Sequence, residues 1–321
     1  MLKKLLSSGL INVIATLSQL GVIVWLGRLL SDEHYGQVHL LISTIAVMST
    51  ISLAGQNNAA TRFLAPKKQM AAFQWLRYAG RVGMVSSLLT IVSGACLTLS
   101  SHYTNAHIII AMICGISFCL AQFLAAGILR AYGRTALALT LNHGWALLSL
   151  GLVAILKPQT ATAFFILLAI SHLTSVLISF VVCLFQIPFG ETQVSSEVWS
   201  EGCWFWLISA SMILGRHLDR ILLAAFVPFA VLGGYGAVVT LMGGFDVLMG
   251  TVGFLLLPTF AQTDDVQLRK RIAEVGLLIL GAVCFYWLFG EGLLNLLFAG
   301  RYDDSSHLIP ILLLAGVAKV A

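Results

Sequence analysis

Apolar runs of about twenty residues recur from one end of this sequence to the other, and no other feature restricts the fold as much. A run of about 18 or more apolar residues is long enough to cross a bilayer as a helix. The runs are continuous and do not alternate as barrel strands do, so the spans are helical. Composition agrees: of 321 residues, 59% are hydrophobic and 10% charged, with a mean hydropathy of +0.95. Soluble domains carry about 25% charged residues. The expected fold is an all-α polytopic membrane protein.

Spans are expected near 8–30, 37–60, 80–100, 106–129, 136–156, 161–186, 202–227, 234–257 and 272–290, with a tenth starting near 308. The basic start, MLKK, is followed by an apolar run too long for a signal peptide, so the first span is read as uncleaved. The loops between spans are short and polar, and no soluble domain fits. With the N-terminus inside, inner loops hold 12 Lys and Arg against 3 in outer loops, which fixes the N-terminus as cytoplasmic. The net charge of +5 belongs to those loops and implies no nucleic-acid partner. Between spans two and three, APKKQMAAFQWLRYAGR (65–81) suggests a short helix lying in the inner headgroup layer.

Six cysteines and eight histidines are scattered at no disulfide or zinc spacing. Neither a cofactor nor a metal is expected. LLSDEHYGQVHLLIS after span one and FAVLGGYGAVVTLMG after span seven resemble each other, with Tyr35-Gly36 and Tyr235-Gly236, 200 residues apart, each opening the span that follows. Internal repeats of this kind build many transporters.

The stretch GRHLDRILLA (215–224) puts Arg216, His217, Asp219 and Arg220 inside the seventh apolar run. Three intramembrane charges cost about 8–10 kcal/mol before pairing, at roughly 2.5–3.5 kcal/mol each. Arg216, Asp219 and Arg220 stand at i, i+3 and i+4, on one helix face. Asp219 is expected to pair with either arginine, leaving one positive charge over for Asp246 in span eight. Such groups usually face a water-filled cavity and mark a substrate or ion path; a purely structural ion-pair cluster is the competing reading. Arg28 ends span one as either a site residue or an interface anchor. Asn57, Asn58 and Arg62, with Gln56, close span two toward the inside. Asn142, His143 and His172 lie within spans five and six, where a helix–helix hydrogen bond is the commoner role.

These motifs together resemble a family. LGRLLSDEHYGQVHLLIS, the DRILL that precedes a loop ending GGYG, the LLP that closes span eight, and FAGRY before span ten resemble bacterial polysaccharide exporters. These are the O-antigen (Wzx-type) flippases of the multidrug/oligosaccharidyl-lipid/polysaccharide exporter superfamily. The resemblance implies a MATE-like two-lobed helical bundle, with residues 1–190 as a first six-helix lobe and 191–321 as an incomplete second lobe. About 9–10 of the family's usual 12 transmembrane helices are present. A fragment or truncated product is expected rather than a chain completed by a partner.

The implied activity is a flippase, not an enzyme, in the bacterial inner membrane. Its cargo would be an undecaprenyl-pyrophosphate-linked oligosaccharide moving from the inner to the outer leaflet for O-antigen or capsule assembly. Implied partners are membrane lipid, that polyprenyl-pyrophosphate-linked oligosaccharide, and the polysaccharide polymerase and chain-length machinery. The resemblance implies that Arg216, Asp219 and Arg220 line the cavity, and guanidinium forks suit phosphate oxygens. Coupling to H+ or Na+ would reset the cycle, with Asp246, Asp219 and His217 the titratable candidates. The alternatives are a multidrug cation antiporter of the same superfamily, a membrane-embedded glycan enzyme and a non-transporting membrane scaffold.

Overall fold

The computed structural model describes residues 2–64, 72–97, 103–187, 197–260 and 265–318. Every regular element among them is helical. In chain order they are α1 (Leu2–Leu29), α2 (Asp32–Leu53), α3 (Gln56–Leu64), α4 (Ala72–Leu97), α5 (Asn105–Gln122), α6 (Thr135–Leu156), α7 (Ala161–Gln186), α8 (Glu197–Leu223), α9 (Phe229–Phe260), α10 (Asp265–Phe298) and α11 (Ile309–Ala318). Among the described residues, five helical stretches are long and apolar enough to cross a membrane: Asp32–Leu53, Asn105–Leu129, Thr135–Leu156, Ala161–Gln186 and Ile279–Phe298.

Helix α7 shows why these helices suit lipid. Its serines at 171, 175 and 179 recur every four residues and are buried, while Ile166, Ile170, Leu173, Leu177 and Leu184 are exposed. The pattern is the reverse of a soluble amphipathic helix. Small hydroxyl residues let helices approach closely, and the bulky apolar face is left for acyl chains. Caps begin these spans: Thr104 accepts from the His107 N–H before α5, and Thr160 from the Ala163 N–H before α7.

Two expectations change. Span two is two helices, because Ala54 (φ 50°) and Gly55 (φ 68°) are both left-handed and stop α2 before α3 begins. The stretch expected as a separate interfacial helix also differs. Residues 65–71 lie outside the described residues, and from Ala72 the chain is already the first part of α4, with Arg77 and Arg81 exposed on it.

The chain forms two compact units. The first takes Met1–Val22 and Gln37–Pro228. Its core joins Leu53, Ala59 and Ala60 of α2 and α3 to Tyr78 and Val82 of α4, Cys183 of α7 and Val198 of α8. At its centre α5 continues into a π-helical stretch, Phe123–Leu129, buried at all but one position. A π stretch misaligns backbone carbonyls, and such stretches recur at functional sites. Here Thr61 of α3 compensates, its hydroxyl lying 2.9 Å from the Ala126 carbonyl and from that of Asn57.

The second unit takes Ile23–Gly36 and Phe229–Ala321. The two segments of the internal resemblance meet within it. A Cβ on Gly36 would collide with the Phe229 carbonyl, and one on Gly233 would lie 2.5 Å from the Asp32 carbonyl. FAGRY makes the turn after α10, with Ala299 and Gly300 left-handed at φ 55° and 78°. Phe298, Tyr35 and Tyr302 pack as one aromatic group, Tyr35 and Tyr302 stacked at 5.5 Å. Burial pushes the Tyr302 phenol above the usual tyrosine range, so it remains neutral.

Candidate functional site

The break between α2 and α3 frees backbone groups that must find partners in a membrane. Helix α8 packs against the break and supplies one donor. Gly202 lies where a Cβ would strike the Gln56 amide, and Trp206 Nε1 donates to the Ile51 carbonyl at 3.1 Å. Tyr78 donates to Gln56 Oε1 at 2.8 Å inside the core. Further along, Ser43 of α2 meets Arg220 and His217 of α8. Contacts 55 with 202, 51 with 206 and 43 with 220 descend on one helix as they rise on the other, so α8 runs antiparallel along α2.

A cavity of about 190 Å³ lies beside the break. It is lined by Thr50, Leu53, Gly55, Asn57, Gln122, Ser209, Met212, Ile213 and Arg216. Thr50 already donates to the Ala46 carbonyl. The side chains of Asn57, Gln122 and Arg216 make no hydrogen bond or ion pair among the described residues. Two amides, each donor and acceptor, and one guanidinium thus converge on the cavity uncommitted. Gln122 is the last residue before the π stretch and reaches the cavity from α5.

The structure sorts the sequence-predicted residues. Arg216 and Asn57 share the cavity. Asn58 sits beside Asn57 on α3 but does not line it. Arg62 forms an ion pair with Glu201 of α8 at 3.2 Å. The expected pairing of Asp219 with an arginine side chain is not what forms: Asp219 Oδ1 accepts the Arg220 backbone N–H at 2.8 Å. Arg220 instead directs its guanidinium to His217 Nδ1 at 3.0 Å and to Ser43 Oγ at 3.5 Å. A carboxylate already held by its own helix backbone is poorly placed to reach a guanidinium one residue on. Asp246 falls on α9, where its side chain lies outside the described residues.

Arg28 belongs to the second unit, where it is committed. Its Nε and Nη2 donate to the Leu297 and Leu296 carbonyls at 2.6 Å, capping the end of α10. Gln122, Ser209 and Ser43 were missed from the sequence. Each is an uncharged polar residue in a mostly apolar run, and only their spacing along neighbouring helices could have hinted at a shared face.

The fold resembles a solved structure described as an inward-facing conformation of a multidrug resistance MATE family transporter of the MOP superfamily, with a TM-score of 0.56. The match is 14% identical and covers 95% of this chain and 81% of that one, which establishes the architecture alone. The chain is therefore an all-α, multi-pass membrane protein with that architecture. Residues 1–264 match the polysaccharide biosynthesis protein family, well over half of the 321 residues, and the chain belongs to that family. No curated protein matches it.

Proposed function

We propose that this chain is a flippase that carries the anionic headgroup of a polyprenyl-pyrophosphate-linked oligosaccharide through the membrane, from the inner to the outer leaflet. The observation that carries this reading is the cavity at the α2–α3 break, where Arg216, Asn57 and Gln122 arrive without a side-chain partner among the described residues. A guanidinium binds phosphate oxygens through its planar fork, and amides suit the hydroxyls and acetamido groups of a sugar. About 190 Å³ is below the usual range for a whole drug-sized ligand. It suits one phosphate with part of a sugar ring, so the glycan chain would extend beyond it. A cationic drug would be repelled by Arg216. In this reading 1–190 and 191–321 act as the two lobes of an alternating-access carrier in the bacterial inner membrane, with the N-terminus cytoplasmic. It would deliver O-antigen or capsule units to a polymerase.

The test is surface glycan display in a deletion strain that re-expresses variants at matched membrane levels. Arg216→Ala should reduce display at least tenfold, Arg216→Lys should restore part of it, and Asn57→Ala should reduce it severalfold. The exposed Arg81→Ala should leave it unchanged. Full display with Arg216→Ala at matched levels would remove the basis of the proposal.

A further inference from the structure

Gln122 owes its aim to side chains that lie outside the cavity. In an α-helix the Arg130 N–H would serve the Ala126 carbonyl, four residues back. Here it goes to the Ala125 and Gly127 carbonyls, five and three residues back. The Ala126 carbonyl is passed over, and the Thr61 hydroxyl of α3 reaches it from the side at 2.9 Å. The Gly127 carbonyl lies 3.3 Å from the same hydroxyl. The Leu124 carbonyl meets a second side-chain donor, the Cys183 thiol of α7, at 3.6 Å. A thiol is a weak donor, so Thr61 is the stronger of the two props.

Gln122 directly precedes the π stretch and lines the cavity from α5. Its direction depends on the register of the bonds that follow. Each residue turns an α-helix by about 100°. If the stretch relaxed to α-helical bonding, its two sides would turn against each other by about that much. The far side is pinned to α3, where a Cβ on Gly127 would lie 3.2 Å from the Asn57 Cα. The turn then falls on the end of α5, and Gln122 leaves the cavity. Asn57 and Arg216 need no such prop, since each stands within a regular helix, α3 and α8.

We infer that Thr61 is a positioning residue of the headgroup site: its hydroxyl holds the π register that aims Gln122 into the cavity. The inference rests on the reading of that cavity as a headgroup site. A helical threonine often rests its hydroxyl on the carbonyl four residues back, and Thr61 does so with Asn57 at 2.9 Å. That bond alone would be structural. The equal distance to Ala126, whose α-helical donor is diverted, gives the hydroxyl its second role.

The test measures binding of a farnesyl-diphospho-hexose probe to the purified full chain in detergent, by calorimetry. Thr61→Val keeps the shape of the side chain without its hydroxyl. It should weaken binding about two- to twelvefold, equivalent to one hydrogen bond. Gln122→Ala should weaken it by a similar factor. The double variant should bind no more weakly than Gln122→Ala alone, because Thr61 acts through Gln122. In an Asn57→Ala background Thr61→Val should keep its full effect, and Thr61→Ser should bind like wild type.

Wild-type affinity in Thr61→Val or in Gln122→Ala, an additive loss in their double variant, or a Thr61→Ser as weak as Thr61→Val would overturn the assignment and leave the headgroup reading standing. Thr61→Ala repeats the test should Thr61→Val yield no monodisperse protein. Collapse of both would show that the hydroxyl holds the fold itself, which overturns the assignment equally. Failure of wild type to bind the probe would remove the headgroup reading and the assignment with it.

Discussion

Gly55→Ala tests the helix break on which the candidate site depends. Two penalties apply. The backbone at Gly55 is left-handed at φ 68°, which costs an L-residue roughly 1–2 kcal/mol. The new methyl would also strike the Gly202 carbonyl and lie 2.6 Å from the Trp206 nitrogen. Both are backbone atoms that cannot rotate away, and overpacking of this kind costs about 1–3 kcal/mol. Together the loss is about 2–5 kcal/mol. Gly202→Ala meets the same interface from α8 without the dihedral penalty. There the first obstacle is the end of the Gln56 side chain, and alanine gains up to about 1 kcal/mol in helix propensity. Its net cost should be about 0–2 kcal/mol. Ala54→Gly runs the argument in reverse, since Ala54 sits at φ 50° and relief of that strain should stabilise by up to about 1 kcal/mol. Reversible unfolding in mixed detergent–SDS micelles, followed by tryptophan fluorescence, measures all three. If Gly55→Ala lies within about 0.5 kcal/mol of wild type, or Gly202→Ala is the more damaging, the left-handed break and the close approach are not what hold this region.

Two further outcomes follow from particular contacts. Arg301 donates to the Gly27 and Leu30 carbonyls at 2.8 and 2.6 Å and pairs with Asp32 at 2.6 Å. Arg301→Ala should cost about 2–4 kcal/mol, three charge-assisted bonds discounted for partial exposure. Arg301→Lys should recover less than half of this, because an ammonium cannot span three acceptors in a fork. Chemical denaturation of the purified chain measures both, and equal stability of Arg301→Lys and wild type would refute the geometry. Tyr78→Phe leaves the Gln56 Oε1 without its buried donor and should destabilise by about 1–3 kcal/mol. A neutral effect by the same assay would mean that the acceptor finds another partner.

The spans were legible because lipid demands long apolar runs, and each expected span has a helix in the structure. The break was not legible. One glycine in an apolar run reads as neutral, and GQNN after Leu53 reads as a span end rather than a restart. Arg216 and Asn57 could be nominated one at a time, since each is costly in a membrane. Their convergence depends on α8 running antiparallel to α2, which helical spacing alone does not specify. Charge logic paired Asp219 with either Arg216 or Arg220. In the fold the Arg220 guanidinium lies against His217 and Ser43, while the Asp219 carboxylate accepts the Arg220 backbone N–H. Arg28 read equally well as site or anchor, and only the carbonyls at the end of α10 show where it goes.

The caps in the second unit are exchanged: Arg28 at the end of α1 closes α10, and Arg301 beyond α10 closes α1. Arg301 follows Gly27 by 274 residues. At synthesis rates of about 5–20 residues per second, roughly 14–55 s separate the emergence of α1 from that of its cap. Through that interval the last carbonyls of α1 must rely on water and headgroups. Helix α1 therefore leaves the ribosome long before its end is capped, and the second unit closes only when both ends of this sequence separation are in the bilayer.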